Sequence, residues 1–149
     1  MPDHPGCEVL FVRARGLTER KAVREFAAVL QQQVADGREF VCLLTDDKEL
    51  QRLNREFLGK DYATDVLSFP AGNGSAGLGE LAISVDRARE QANEHRHGLL
   101  EEVRVLMLHG VLHLMGMDHE TDGGQMKKTE SRWRKKLGLS AGLIERVHR

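Results

Sequence analysis

At 149 residues, with 40% hydrophobic and 30% charged side chains, the chain has the balance of a globular protein and enough length to bury a core without disulfide staples. The expectation is one domain over residues 1–149, with no internal repeat. A formal net charge of -1 at pH 7 excludes a global pull toward nucleic acid or membrane, so a polyanion has to be met by a local patch.

Taken in chain order, Met1-Pro-Asp-His-Pro-Gly6 lacks a basic start followed by an apolar stretch and does not read as a secretory signal. Glu8-Val-Leu-Phe-Val-Arg13 reads as a strand. Thr18 to about Ala35 reads as a helix with Thr18 as N-cap, Val23, Phe26, Ala27 and Leu30 on one stripe, and Asp36-Gly37 as its stop. Phe40 to Thr45 is a second strand, buried on both faces if central, and the strand-helix-strand spacing suggests a parallel crossover pair. Cys42 in this run reads as a buried thiol and, like Cys7, has no CxxC partner, which fits a reduced cytoplasmic compartment. Asp46 caps a helix reaching Phe57, with Leu50, Leu53 and Phe57 inward.

Asp65 to Pro70 and Glu80 to Val85 are short strands joined by a glycine-rich stretch, as a hairpin or an irregular loop. Asp86 caps a helix to about His97. Leu99 to Met115 forms an apolar helix and Gln125 to Leu137 a charged one. The apolar segment from Val103 to Met117 is interrupted by Arg104, His109, Gly110, His113 and Gly116, and falls short of the roughly 20 residues a membrane span needs. The fold class that follows is α+β or mixed α/β. A sheet of about four strands, a parallel crossover pair plus a hairpin-joined pair, carries about five packed helices.

The chemistry concentrates in His109-Gly-Val-Leu-His-Leu-Met-Gly-Met-Asp-His119. Residues four apart on a helix are turned by about 40° and displaced by about 6 Å, so His109 and His113 project toward a common point. Gly116 can take the left-handed conformation that ends a helix, and His119 then lies within roughly 10 Å of extended chain. Three neutral imidazoles with bonds of about 2.0 to 2.1 Å suit one Zn2+ and leave a fourth position open, as catalytic sites do. The competing reading, core or surface histidines, is the commoner one for a single His. For three at this spacing it is not, because two imidazoles buried without partners cost roughly 1 to 3 kcal/mol each. The spacing matches the metzincin protease pattern except that Gly110 stands where those enzymes carry the glutamate general base, which argues against a protease.

With Gly110 in place, the segment closely resembles the signature of the YbeY family of endoribonucleases. Leu53-Asn54, Gly59-Lys60-Asp61, Thr64-Asp-Val-Leu-Ser-Phe-Pro70 and Leu78-Gly-Glu-Leu-Ala-Ile83 resemble further blocks of that family, and together they cover roughly Leu50 to Asp122. The resemblance implies a metal-dependent, single-strand endoribonuclease of 16S ribosomal RNA 3′-end maturation and ribosome quality control. Its partners would be the small ribosomal subunit and its assembly factors, with no membrane involved. His109, His113 and His119 carry over as metal ligands. One departure is Leu58, where many members have an arginine before Gly-Lys-Asp; Arg55, one turn earlier, and Lys60 are the candidates to meet phosphate in its place.

A metal in an open three-histidine site lowers the pKa of its water toward about 7 and polarises a phosphoryl oxygen. Whether water or the ribose 2′-hydroxyl attacks stays open. Asp118 either orients a ligand imidazole by accepting its free N–H or stabilises a turn. Ser68 and Thr64 either line the cleft through their hydroxyls or serve the strand and its turn. RNA could meet the basic run Lys127 to Lys136, which holds Trp133, though a solvated helix face anchored by that tryptophan is the commoner case. Arg13, Arg15, Arg20, Lys21 and Arg24 form a second basic cluster, and His95 and His97, two apart, read as surface residues. The alternatives are a metal-dependent hydrolase or peptidase of another substrate, and a ribosome-assembly RNA-binding factor with a structural zinc.

Overall fold

The computed structural model describes residues 7–72, 74–118 and 121–139. Strand β1 (Glu8–Phe11) runs parallel to β2 (Phe40–Thr45), β2 runs parallel to β4 (Gly79–Ser84), and β3 (Val66–Pro70) lies antiparallel to β4 at the sheet edge. The crossover pair and the hairpin pair are both present. They fuse into one mixed sheet of order β1-β2-β4-β3 because β4 returns beside β2. The Ala71 amide donates to the Leu78 carbonyl at 2.9 Å and closes the hairpin loop. Gly79, at φ 135°, is required there, since a Cβ would collide with the Phe69 carbonyl oxygen.

Helix α1 (Arg20–Val29) continues as a π-helical turn over Leu30–Val34 and starts later than the sequence suggested. Glu19 occupies the N-cap without a side-chain hydrogen bond to the backbone, and the Thr18 hydroxyl turns to the Glu19 carboxylate at 3.3 Å instead of capping. The stripe of Val23, Phe26, Ala27 and Leu30 is buried as expected. Helix α2 (Asp47–Leu58) is capped by Asp46, whose carboxylate accepts the Glu49 amide at 3.0 Å. Helix α3 (Val85–Glu94) is capped by the Ser84 hydroxyl, not by Asp86. Asp86 sits in the first turn and accepts the Asp47 amide at 3.0 Å, tying α2 to α3. Because α3 ends at Glu94, His95 and His97 are not on a helix. Their ring centroids lie 6.2 Å apart, and His97 Nε2 is 2.6 Å from the fully buried Glu102 carboxylate, so His97 is not a surface residue. Helices α4 (Leu99–Leu114) and α5 (Gln125–Leu137) follow as expected.

One sheet face carries the main core. Phe40, Cys42, Leu44, Leu81 and Ile83 meet Val23, Phe26 and Leu30 and a long series from α4 that includes Val103, Leu106, Leu108 and Leu112. Helix α4 is apolar nearly all round because it is enclosed by sheet and neighbouring helices, so it shows no single stripe. Among the described residues the opposite face is covered only by α2, through Leu50, Leu67 and Ala82, with Leu43, Leu53 and Phe69 partly buried. Strand β2 is therefore not buried on both faces, since Val41 and Leu43 stay partly open. Phe57 turns to this face and meets Phe69 but is left 64% exposed rather than buried as expected, and among the described residues no strand lies beyond β3 to cover it. Cys7 and Cys42 are unbridged. Burial pushes the Cys7 thiol up to about 11 and the Cys42 thiol higher still, so neither is a thiolate at neutral pH. Among the described residues no helix is long and apolar enough to cross a membrane.

The Asp46 cap yields a stability prediction. Burial raises its carboxyl, but the Glu49 amide and the Arg13 guanidinium outweigh that and hold it below the usual carboxylate range. A depressed folded value contributes stability that is fully present above the unfolded value of about 3.9 and is lost as pH falls through the folded one. Asp46→Ala is expected to cost about 1 kcal/mol in urea unfolding at neutral pH. The gap to the parent should close in acid, and a gap of unchanged size there would contradict the assignment.

Candidate metal centre

His109 and His113 stand one turn apart on α4, on the side that faces the edge strand β3. Their Nε2 atoms are 3.1 Å apart, and the rings meet at 71° with centroids 4.7 Å apart. Two bonds of about 2.0 to 2.1 Å at a tetrahedral angle set ligand nitrogens about 3.3 to 3.4 Å apart, so the pair fits one small divalent ion with little adjustment. Both rings line a cavity of about 330 Å³ together with Asp65, Val66, Leu67, Ser68 and Pro70. Ser68 is thus brought to the histidines, and its hydroxyl donates to the Gly110 carbonyl at 3.3 Å.

His109 is buried, and its Nδ1–H donates to the Glu130 carboxylate at 2.6 Å, with Glu130 only 1% exposed. That bond fixes the tautomer, leaving Nε2 as the nitrogen with a lone pair aimed at the cavity. Glu130 was not singled out by sequence reasoning, where it counted as the one acid of a basic run. A signal existed, because Met126, Glu130, Trp133 and Leu137 follow helical spacing and all four are buried or half-buried on the inner side of α5. Lys127, Lys128, Arg132, Lys135 and Lys136 are exposed, and Trp133 packs against the core with the Lys136 ammonium 5.0 Å from its ring centroid. The basic run is therefore a solvated face on a tryptophan anchor.

Gly116, at φ 91°, ends α4 as expected. Its amide donates to the His113 carbonyl at 2.9 Å and the Met117 amide to Leu112 at 3.2 Å, the paired bonds that reverse a chain after a helix. His119 lies outside the described residues. The Asp118 carbonyl accepts the Thr121 and Asp122 amides at 3.2 and 3.1 Å, and the Asp122 carboxylate accepts the Gly124 and Met126 amides at 3.0 and 2.8 Å, which starts α5 and so places Glu130. The carboxylate that meets His109 Nδ1 is that of Glu130.

Lys60 and Arg55 do not line the histidine cavity. Arg55 faces a separate groove with Arg13, Arg15, Lys48 and Arg52 and pairs with Asp61 at 3.6 Å. The Lys60 amide donates to the Asn54 carbonyl at 3.2 Å, folding the turn after α2 back onto that helix. Thr64 serves the turn, its hydroxyl on Asp65 at 3.4 Å, while Asp65 accepts the Val66 amide at 2.8 Å. Arg20 and Arg24 of the second basic cluster stack on Phe11, 4.9 and 5.0 Å from its centroid.

The family model for endoribonuclease YbeY matches residues 14–138. An endoribonuclease YbeY of Solibacter usitatus is 57% identical over 147 residues, 99% of each chain. Its counterpart in Bacillus licheniformis is 42% identical over 118 residues, 71% of this chain and 74% of the relative. The solution structure of TM1509 from Thermotoga maritima superposes with a TM-score of 0.60 at 25% identity, covering 85% of each chain. The matched span contains both the edge strand and the histidine helix that form the cavity, and the chain belongs to the endoribonuclease YbeY family.

Proposed function

We propose that this chain is a metal-dependent endoribonuclease of single-stranded RNA, with one zinc ion held by His109, His113 and His119. We further infer that it acts as a single domain in the cytoplasm on the 3′ end of 16S ribosomal RNA, alongside the small ribosomal subunit and its assembly factors. The observation that carries the reading is the approach of the His109 and His113 Nε2 atoms to 3.1 Å beside an open strand edge, in a chain 57% identical to a relative named endoribonuclease.

When bound, the ion supplies charge stabilisation at a phosphoryl oxygen and a water whose pKa is lowered toward about 7. The chain's own residues hold that centre in place. Glu130 keeps the His109 proton on Nδ1, and α4 fixes the spacing of the two imidazoles. Ser68 ties β3 to α4 through the Gly110 carbonyl, which keeps the strand edge against the histidines. Gly110 also speaks against a peptidase with an on-helix base, since a Cβ there would lie 2.7 Å from Leu81 Cδ2.

The test is cleavage by the zinc-loaded chain of a single-stranded RNA, its duplex and a peptide library, each with and without chelator. Cutting of the single strand alone, lost on chelation while the fold persists, is the expected result. Peptide cleavage with intact RNA would overturn the reading, and chelation that unfolds the chain would favour a structural zinc. For Glu130, Glu130→Gln is expected to weaken zinc binding about 10- to 100-fold in competition with a chelating dye. Unchanged affinity would remove Glu130 from this role.

A further inference from the structure

Phe57 is 64% exposed although burying such a ring stabilises a fold by about 1.5 to 3 kcal/mol. It is not a loose side chain. Its ring meets Phe69 of β3 edge to face, with centroids 5.8 Å apart at 68°, so the exposed ring has a second aromatic ring behind it. Tyr62, 54% exposed, follows in a turn that is itself pinned, because the Asn54 side chain donates to the Tyr62 carbonyl at 3.0 Å and Gln51 to Asp61 at 3.0 Å.

Strand β3 relates this aromatic corner to the histidine cavity. Neighbouring side chains on a strand point to opposite faces, and here Ser68 turns to α4 and the histidines while Phe69 turns to α2 and Phe57. As the edge strand, β3 has no strand on its outer side among the described residues, and a flexible chain can pass there from one face to the other. The far side of α2 carries a groove lined by Arg13, Arg15, Lys48, Arg52 and Arg55, in which Arg13, Arg52 and Arg55 pair with Asp46, Glu49, Glu56 and Asp61 while Arg15 and Lys48 add positive charge beyond those pairs. An exposed aromatic ring and a cationic groove on the same helix together suit a polyanion that also presents flat apolar faces. A single-stranded RNA does so, whereas a duplex hides its base faces.

We propose that Phe57, backed by Phe69, is a base-stacking platform for the single-stranded RNA that crosses β3 from the His109–His113 cavity. This rests on the endoribonuclease reading for its substrate class, and its test reads binding rather than cleavage. A fluorescein-labelled, nuclease-resistant 2′-O-methyl phosphorothioate single strand is titrated with the zinc-loaded full chain and followed by anisotropy. Phe57→Ala is expected to raise Kd about ten-fold, the loss typical of one stacked base. Phe57→Leu keeps the apolar bulk without a π-face and is expected to keep the thermal midpoint while losing the same affinity. Phe57→Trp should keep the affinity, and the introduced indole should be quenched on binding beyond the change seen for Trp133 in the parent.

Parent-like affinity in both Phe57→Ala and Phe57→Leu, or an unquenched indole, would overturn the platform even if RNA is cleaved normally. A self-association seen in sedimentation that Phe57→Ala abolishes, with RNA affinity unchanged, would overturn it in favour of an interface between copies. A chain that binds the strand in a Phe57-dependent way but never cuts RNA would instead leave the platform standing and remove the nuclease reading.

Discussion

His113→Ala is expected to lower single-turnover RNA cleavage by at least about a thousand-fold, the rate equivalent of the roughly 4 kcal/mol of transition-state charge stabilisation that a correctly held metal supplies. The fold should survive, because His113 is only half-buried on the cavity wall. Zinc affinity should fall with the rate. Cleavage within ten-fold of the parent at saturating zinc would remove His113 from the site. His109→Ala is the less clean variant. It takes the 2.6 Å partner from a carboxylate buried at 1% exposure, and breaking such a pair costs about 3 to 5 kcal/mol, so lost activity would be mixed with lost stability. The contrast between the two variants is itself a check on the geometry, since His113→Ala should leave the thermal midpoint nearly unchanged and His109→Ala should lower it.

Gly110→Glu, which writes the protease glutamate into the histidine motif, is expected to destabilise the chain by more than about 4 kcal/mol and not to produce a peptidase. The first side-chain carbon alone would stand 2.7 Å from Leu81 Cδ2 and 3.2 Å from Leu81 Cδ1, so Leu81, 1% exposed between sheet and helix, has to shift to admit it. The rest of the glutamate would then place a carboxylate against the core. Gly110→Ala separates the two contributions. It meets the same contact but gains about 1 kcal/mol of helix propensity, so a net cost of roughly 0 to 2 kcal/mol is expected in urea unfolding. A stable Gly110→Glu variant would show that Leu81 yields. Peptidase activity in that variant would mean that glycine at this position, rather than the surrounding cavity, separates this chain from the proteases.

Much of the frame was legible in the residues because it depends on neighbours a few positions away. The Asp46 cap, the spacing of His109 and His113, the left-handed Gly116 and the Gly-rich hairpin all arise from hydrogen bonds or side-chain periodicity within one or two turns. Where two local solutions compete, the reading slipped. Thr18 and Asp86 are good capping types, yet Glu19 and Ser84 take those positions, because Thr18 turns to its neighbour and Asp86 reaches across to the Asp47 amide of another helix. His97 was misread for a related reason: α3 ends at Glu94, three residues before the expected end, and the His97 ring then turns onto Glu102.

The amino-acid pattern by itself determined the two-histidine face on α4, the reversal after it, the four strands and the family resemblance, since each is written in short-range spacing and chemistry. Only the tertiary structure decided that Glu130, 21 residues along the chain, closes on His109. It likewise brought Ser68 to the histidine cavity, left Arg55 and Lys60 outside it, and held the Phe57 ring open against Phe69. Those outcomes depend on which face of each element packs against a distant one. That choice is made by burial over the whole domain, and no window of neighbouring residues contains it.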